Sequence, residues 1–368
     1  MHTFVAALPS NELLVSDSRK DEDFSRACVA RLRLNHIRTE AERIETWSSS
    51  TRISSDGAKL LSQPSGLAVA VGSLSDGEQQ RPIAFVADAF AGGIVQVSVQ
   101  LGSLDDIGRQ SLRRLDVFRL RNGENRLSFP MGCAFSVASG RLFVVDGDHH
   151  RVVAMDPQAA ARSTREAHEC CPSPYEGTPT SWLFAIGSGQ GSGAGQLQDP
   201  FGVAVHEGKV YVTDAGNGRV SVFDEHDGHH VGVVLGTGKL EDPSGIAFTS
   251  RGSLVVADTT GKIRFFDLEP SGLTVTREAH CFDLEGDLAG VVCVPPELAE
   301  AGEQEAEVER VFVVNSTKKV IHVLEPATLA HVRVMFDRMS DCSRLRGLRR
   351  TADEERQFIE AMQSIALM

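Results

Sequence analysis

The chain has 368 residues and a formal net charge of −13, with 37 lysines and arginines against 50 aspartates and glutamates. This balance opposes the broad basic surface that nucleic acids require, so we expect no nucleic-acid partner. No apolar run approaches the length of a membrane span, and the first eight residues lack the basic start of a signal peptide, so we expect neither. The seven cysteines show no CxxC spacing, which favours free thiols in a reducing cytosol and therefore a cytoplasmic protein.

Short apolar strands separated by turn residues recur along the chain, which predicts an all-β fold of repeated β-meanders. The first unit begins almost at the first residue, because segment 4–17 aligns without a gap on segment 245–258. Its third and fourth strands are predicted at 27–34 and 43–47, ahead of a polar linker at 48–62. In every unit the second strand ends on an acid or an amide: Asp17, Asp88, Asp146, Asp214, Asp258 and Asn315.

The later units repeat this pattern with different loops. A long loop at 157–180 interrupts the third unit, and an acidic insertion at 297–309 delays the second strand of the sixth. The predicted third strands begin at Ile94, Arg151, Arg219, Lys262 and Val320. The predicted outer strands lie at 115–120, 182–186, 229–235 and 331–336.

Residues 199–224 form the clearest unit, with strands predicted at 202–205, 210–213 and 219–223. This unit resembles an NHL repeat. The residues that fall on the pattern of that family are Pro200, Gly202, Ala204, Val205, Tyr211, Val212, Asp214, Asn217, Arg219, Val220 and Phe223. NHL repeats form propeller blades, so the resemblance implies a six-bladed β-propeller of four-stranded blades. Because the first and last blades are complete, we expect a monomeric ring that closes by packing, without a shared strand.

The pattern changes after residue 337. Residues 352–367 are predicted to form a helix with one apolar stripe, and several arginines precede it. The predicted domains are therefore an NHL-type propeller at 1–337 and a C-terminal helical tail at 338–368. Both a tail packed on the side of the propeller and a partner-binding helix fit this pattern.

The acid or amide after each second strand is expected to be structural. A carboxylate there can accept backbone N–H groups of the following turn, and a residue repeated once per unit is a poor candidate for catalysis. Arg151 and Arg219 begin third strands five residues after Asp146 and Asp214, so an Asp–Arg hydrogen bond is predicted in both units.

Three segments contain residues that could carry chemistry. The turn at 225–230 combines three histidines with two carboxylates and could bind zinc, but its spacing is not specific and a solvated turn is expected. Cys170 and Cys171 could be redox-sensitive, although only His168 nearby could lower a thiol pKa. The run at 187–196 lacks the Gly-Lys-Ser/Thr ending of a phosphate loop. The sequence therefore predicts no metal, no cofactor and no catalytic residue.

The resemblance implies a fold that serves many functions. NHL propellers elsewhere are substrate-recognition parts of ubiquitin ligases, which favours a non-catalytic scaffold for protein partners, although this chain has no RING-like Cys/His array. One alternative is an enzyme similar to the six-bladed amidating lyase or the lactonase-like hydrolases, and another is an RNA-binding NHL domain. The lyase resemblance implies histidines where the inner strands begin. The chain has Ser65, Met131, Phe201 and Ser244 there.

The loops between second and third strands are the predicted binding face. Propeller topology places them on one side of the ring, and their charges differ sharply. These loops are 18–25, 89–92, 147–150, 215–218, 259–261 and 316–318. The residues predicted to contact a partner are Arg19, Phe90, His149, His150, Asn217, Lys262 and Lys318.

Overall fold

We describe the protein from a computed structural model. The described residues are 4–8, 12–17, 28–34, 41–48, 61–70, 82–90, 92–99, 127–157, 182–295, 309–326 and 330–335. The chain divides into two units, Met1–Asp337 and Arg338–Met368. The predicted tail helix, the predicted strand at 115–120, Arg19 and the Cys170-Cys171 pair lie outside the described residues. Within the described ranges, no helix has the length and apolar character needed to cross a membrane.

The described strands form antiparallel sheets, which we number in chain order. The first sheet contains β1 (Val5–Leu8), β2 (Glu12–Asp17), β3 (Cys28–Leu34) and β4 (Ala41–Ser48). The second contains β5 (Pro64–Ala70), β6 (Ile83–Asp88) and β7 (Gly93–Ser98). The third contains β8 (Pro130–Phe135), β9 (Leu142–Asp146), β10 (Arg151–Met155) and β11 (Trp182–Ile186).

The remaining sheets each have four strands. The fourth contains β12 (Pro200–His206), β13 (Lys209–Asp214), β14 (Arg219–Asp224) and β15 (His230–Leu235). The fifth contains β16 (Pro243–Phe248), β17 (Leu254–Asp258), β18 (Lys262–Leu268) and β19 (Val275–Asp283). The sixth contains β20 (Leu288–Val294), β21 (Arg310–Asn315), β22 (Val320–Glu325) and β23 (Ala330–Met335).

The second strands of the sheets are buried on both faces. β6 and β9 are buried at every residue, and β21 at every residue except its first. Branched and aromatic side chains fill both faces of these strands, because each sheet packs between two neighbours. The apolar runs before each acid or amide in the sequence reflect this burial, and the prediction of an all-β fold of meanders is confirmed.

The first strands of the sheets lie together at the centre, where they pack almost backbone to backbone. A Cβ atom added to Gly66 would overlap the carbonyl oxygen of Met131 in the next sheet, and one added to Gly245 would overlap that of Ala289. The recurring glycine of these inner strands is therefore required by close approach.

Side-chain hydroxyls join neighbouring inner strands. Ser65 Oγ donates to the Pro130 carbonyl at 2.6 Å, and Ser244 Oγ donates to the Leu288 carbonyl at 2.6 Å. Each buried hydroxyl thus supplies a hydrogen bond between two neighbouring sheets, whereas the backbone hydrogen bonds of the strands lie within each sheet.

The sixth sheet packs on the first. A Cβ atom added to Gly290 in β20 would lie 2.6 Å from the Cα atom of Phe4, the residue that precedes β1. Ser16 Oγ in turn donates to the Ser65 carbonyl at 2.6 Å, which joins the first sheet to the second. The inner strands of the described sheets therefore contact one another in an unbroken succession, as the predicted propeller requires.

Candidate functional site

The acids that end the second strands hold the connectors that lead into the inner strands. Asp88 accepts the backbone N–H groups of Ser62 and Gln63 at 2.6 and 2.9 Å. These N–H groups directly precede Pro64 and have no ladder partner, so the carboxylate satisfies them. The equivalent bonds run from Ser128 to Asp146 at 2.6 Å, from Gln198 to Asp214 at 2.6 Å, and from Glu241 and Asp242 to Asp258 at 3.0 Å each.

The sequence predicted that these acids accept backbone N–H groups of the turn that follows them, and this prediction was wrong in part. Asp146 and Asp214 make no side-chain bond to the backbone of the 3-10 turn that follows them. Asp258 does accept the N–H of Thr260 at 2.9 Å, and Asn315 accepts that of Lys318 at 2.9 Å. The carboxylates of the third and fourth sheets face the connector and a cationic or amide side chain instead.

Arg219 organises the glycine-rich connector of the fourth sheet. Its Nε donates to Asp214 Oδ2 at 2.6 Å, which confirms the predicted Asp–Arg bond. Its terminal nitrogens donate to the carbonyls of Ser192, Gly193 and Gln196 at 2.8, 3.2 and 2.8 Å. The guanidinium thus fixes a loop that has few side chains to hold it. In the third sheet Arg151 makes the matching bond to Asp146 at 2.8 Å and stacks on Trp182.

Asn217 and His149 occupy the same position in the fourth and third sheets. Asn217 donates to both carboxylate oxygens of Asp214, at 3.0 and 2.9 Å, and to the Gly191 carbonyl at 2.9 Å. His149 Nδ1 lies 2.9 Å from Asp146 Oδ2. The sequence predicted that both side chains contact a partner. In the structure each of them also binds a buried carboxylate of its own sheet.

His150 joins the third sheet to the connector of the fourth. It adopts a left-handed backbone conformation, with φ of 49°, and its Nδ1 accepts the backbone N–H of Asp199 at 3.1 Å. The Asp199 carboxylate lies 3.5 Å from the same nitrogen. His150 is thus fixed between two sheets, and its side chain is 17% exposed.

The lysines and the phenylalanine of the predicted binding face differ in their contacts. Lys262 pairs with Glu241 at 2.7 Å, and Lys318 pairs with Glu285 at 3.2 Å. Phe90 follows the buried Asp88 and is 65% exposed. It is the most exposed large apolar side chain that the structure describes on the end of the sheets carrying these loops.

Aromatic side chains fill the centre of the molecule. Phe4, which precedes the inner strand of the first sheet, stacks on Phe201 of the fourth at a centroid distance of 5.4 Å. Two sheets separate these in either direction along the succession, so the pair spans the central space. Met131 packs in the same apolar cluster, while Ser65 and Ser244 are buried in bonds between sheets. Of the four positions at which the lyase resemblance implies histidines, Met131 and Phe201 thus belong to a central apolar plug, and Ser65 and Ser244 join neighbouring sheets.

The match to a known family falls on the residues of the fourth sheet just described. The NHL repeat family model matches residues 197–223, which include Asp214, Asn217 and Arg219. The chain therefore contains an NHL repeat in its fourth sheet. A comparison with curated proteins gives no match.

One of three similar solved structures supports the propeller fold. A chain from the crystal structure of the nidogen/laminin complex superposes with a TM-score of 0.51 at 13% identity, over 91% of this chain and 92% of that one. A candidate 6-phosphogluconolactonase from Bacteroides uniformis gives a TM-score of 0.47 at 14% identity, over 89% and 82%. Hydrazine synthase from Kuenenia stuttgartiensis gives 0.41 at 13%, over 72% and 66%.

The histidine-rich turn of the propeller is held by its own hydrogen bonds. Asp224, Asp227 and His229 bring one possible metal-ligand atom each to within 4.8 Å of one another. However, Asp224 Oδ1 accepts the N–H of His226 at 2.7 Å, and Asp227 Oδ1 lies 2.6 Å from His229 Nδ1. These bonds account for the acids in the turn without a ligand.

Neighbouring histidines in this turn have pKa values shifted in opposite directions. The side-chain hydrogen bond to Asp227 raises the pKa of His229, whereas partial burial lowers that of His230 and the charge of Arg219 lowers it further. As the pH rises, we expect His230 to lose its proton first and His229 to keep its proton above the ordinary range. Histidine-selective NMR measures both titrations. In Asp227→Asn the His229 curve should move to lower pH while that of His230 stays in place, and coincident wild-type curves would contradict this.

Two of the described cysteines are poor nucleophiles. Cys28, Cys133, Cys281 and Cys293 form no disulfide in the described part of the chain. Burial raises the pKa of Cys133 to about 12 and that of Cys293 well above its ordinary value, so both stay protonated at neutral pH.

Sequence reasoning missed two features at the centre of the propeller. One is the Phe4–Phe201 stack, which joins residues far apart in the chain. The other is the set of residues that directly precede the inner strands, among them Asp242 and Asp287. The proline-led repeat pattern marked their positions, but the pattern does not show which side chains remain unpaired.

Proposed function

We propose that the protein is a non-catalytic, six-bladed NHL propeller whose loop face recognises a protein partner. The loop face is the set of loops between second and third strands: 89–92, 147–150, 215–218, 259–261 and 316–319, together with the predicted loop at 18–25. A substrate- or partner-recognition role in a ubiquitin-ligase-type assembly is one setting for this function. We also propose that the propeller is monomeric and cytoplasmic.

The single observation that carries the proposal is the environment of Phe90. Its side chain is 65% exposed, and it lies two residues after Asp88, whose carboxylate is buried and bound to the connector. An aromatic side chain presented from a rigid strand end loses little conformational freedom on binding. Exposed aromatic side chains of this kind are favourable anchors for a protein partner.

The blade count rests on the described sheets. Five have four strands and one has three, and the last packs on the first. The predicted strand at 115–120 would complete the second blade. The predicted domain division at residue 337, with a helical tail after it, is part of the same proposal.

The centre of the ring supports a non-catalytic role. The six-bladed enzymes that the sequence resembles imply a metal near the channel mouth, but Phe4, Met131 and Phe201 pack together there. Met131, Phe201, Ser65 and Ser244 include no metal ligand of the usual type. We therefore expect the purified protein to hold no stoichiometric zinc by metal analysis. One tightly held equivalent, lost when His226, His229 and His230 are replaced, would contradict this.

Charge on the loop face supports a protein partner over RNA. The lysines Lys262 and Lys318 are paired with glutamates, and the overall charge is −13. Paired lysines release few counterions on binding a phosphate backbone. The nidogen/laminin structure, which shares the fold, is a complex between proteins.

The proposal is tested by quantitative affinity capture with Phe90→Ala. We expect captured partner binding to weaken about tenfold, or about 1.4 kcal/mol, because the exposed anchor is lost. The matched control is Val137→Ala. Val137 is 73% exposed on the hairpin between β8 and β9, at the opposite end of the sheets. Equal binding by wild type and Phe90→Ala, or equal loss in the two variants, would contradict the proposal.

A further inference from the structure

Two polar side-chain atoms at the loop-face end of the sixth sheet have no hydrogen-bond partner among the described residues. Ser316 is only 8% exposed, and its Oγ is buried without a partner in the described part of the chain. The same holds for Oδ1 of Asp287. The two residues are neighbours, because the Ser316 N–H donates to the Asp287 carbonyl at 2.8 Å. Buried polar groups without partners are rare and call for an explanation.

The fifth sheet provides an internal comparison. Thr259 follows Asp258 as Ser316 follows Asn315, and Asp242 precedes the inner strand as Asp287 does. In the fifth sheet the hydroxyl of Thr259 donates directly to Asp242 Oδ2. The equivalent hydroxyl and carboxylate oxygen of the sixth sheet are both left unpaired. The two groups that satisfy each other in one blade therefore both lack a partner in the described part of the next.

The repeat also indicates the direction of the Ser316 side chain. Gly147 holds the position of Ser316 in the third sheet, with a matching N–H bond to the Phe129 carbonyl. A Cβ atom added to Gly147 would lie 3.0 Å from that carbonyl and 3.5 Å from Cγ of Met131. A side chain at this position thus faces the residue before the inner strand and the central plug. In the sixth sheet these neighbours are Asp287 and the small Ala289.

Charges of both signs act on the Asp287 carboxyl. Burial raises its pKa, the charge of the amino terminus lowers it, and the Asp242 carboxylate raises it by a smaller amount. Asp199, which precedes the inner strand of the fourth sheet, is exposed. A cation bound here would relieve the repulsion between carboxylates.

We propose that Asp287 and Ser316 bind the ammonium group of a lysine side chain from the protein partner. An ammonium is a compact charge with three donors, so it can bond to a hydroxyl oxygen and a carboxylate oxygen on two residues joined by a backbone hydrogen bond. A guanidinium requires a planar pair of acceptors, which a hydroxyl and a single carboxylate oxygen do not provide. The inference rests on the proposed function, because it assigns the chemistry that the partner presents to the loop face.

Three small probes test the site on the full chain at constant ionic strength. The protein is titrated with n-butylammonium, n-butylguanidinium and n-butanol while the Ser316 amide is followed by NMR. We expect n-butylammonium to bind most tightly. In Asp287→Asn its binding should weaken about tenfold or more. In Ser316→Ala it should weaken about threefold, without loss of thermal stability, because an unpaired buried hydroxyl is removed.

Asp199→Asn is the matched control, since it removes one carboxylate charge from the same position of the fourth sheet. We expect it to change n-butylammonium binding less than about twofold, because exposed charges are screened. Unchanged binding in Asp287→Asn, an equal loss in Asp199→Asn, or tighter binding of n-butylguanidinium or n-butanol would overturn the inference. The titration is repeated with an acetylated amino terminus, which removes the competing cation. Loss of binding there would also overturn it.

The outcome is separable from that of the proposed function. Partner capture that depends on Phe90 but not on Asp287 would refute only the lysine site. If n-butylammonium binds at Asp287 but partner capture is unchanged in Phe90→Ala, the Phe90 anchor is refuted and the ammonium site remains supported.

Discussion

Replacing Asp214 with alanine is expected to lower the free energy of unfolding by about 3–5 kcal/mol. The Asp214 carboxylate is fully buried, and it accepts bonds from the Gln198 backbone and from the side chains of Asn217 and Arg219. Its loss leaves the Arg219 guanidinium, itself 6% exposed, without its counter-charge. A turn cap alone would cost only about 0.5–2 kcal/mol. Chemical denaturation followed by circular dichroism measures the difference.

The replacement of a surface glutamate, Glu278, with alanine provides the control for this measurement. Glu278 lies on the outer strand β19, half exposed, and pairs with Arg264 Nε at 4.0 Å. Glu278→Ala should change the free energy of unfolding by less than about 1 kcal/mol. A loss of that size or smaller in Asp214→Ala would show that the buried carboxylate does not hold the NHL repeat together.

Replacing Gly245 with alanine is expected to cost about 3 kcal/mol or more. The added methyl group would overlap the Ala289 carbonyl and lie 3.0 Å from the backbone nitrogen of Val291. Both are backbone atoms of the next inner strand, so neither can move aside without displacing a whole sheet. Gly236→Ala is the control, because a Cβ there meets nothing within 4 Å and should leave unfolding nearly unchanged. A stable, soluble Gly245→Ala with an unchanged unfolding midpoint would contradict the close packing of inner strands.

The repeat pattern predicted most of the strands because the same constraint acts in every sheet. A second strand between two neighbouring sheets must be apolar on both faces, which yields runs such as Val311 to Val314 in β21. An outer strand has no neighbouring strand on its outer edge. Its sequence therefore mixes apolar and polar residues. That is why β19, which contains Thr276, Arg277 and Glu278, had no predicted bounds.

The candidate site was less predictable than the strands. Its loop positions followed from the repeat, but His150 and Asn217 bind backbone groups that lie 49 and 26 residues away in the sequence. Local spacing could indicate the Asp214–Arg219 bond, which spans five residues. It could not indicate a bond from His150 to the connector of the next sheet.

The same limit applies to the centre of the ring. Phe4 and Phe201 meet only because the first and fourth sheets face each other. No local sequence pattern could predict this contact. The unpaired atoms of Asp287 and Ser316 are recognised only by comparison with the bonded pair in the fifth sheet. The equivalence of repeats, once the sheets are known, is therefore the most informative guide to unusual positions in this chain.

The central claim, that the loop face binds the partner, is tested most directly by hydrogen–deuterium exchange of the partner complex. We expect slower exchange at residues 88–93, 147–150 and 316–319 when the partner is bound. The hairpins at the opposite end, 136–141 and 206–209, should exchange at the same rate in free and bound protein. Protection confined to those hairpins, or to residues 338–368, would contradict the claim.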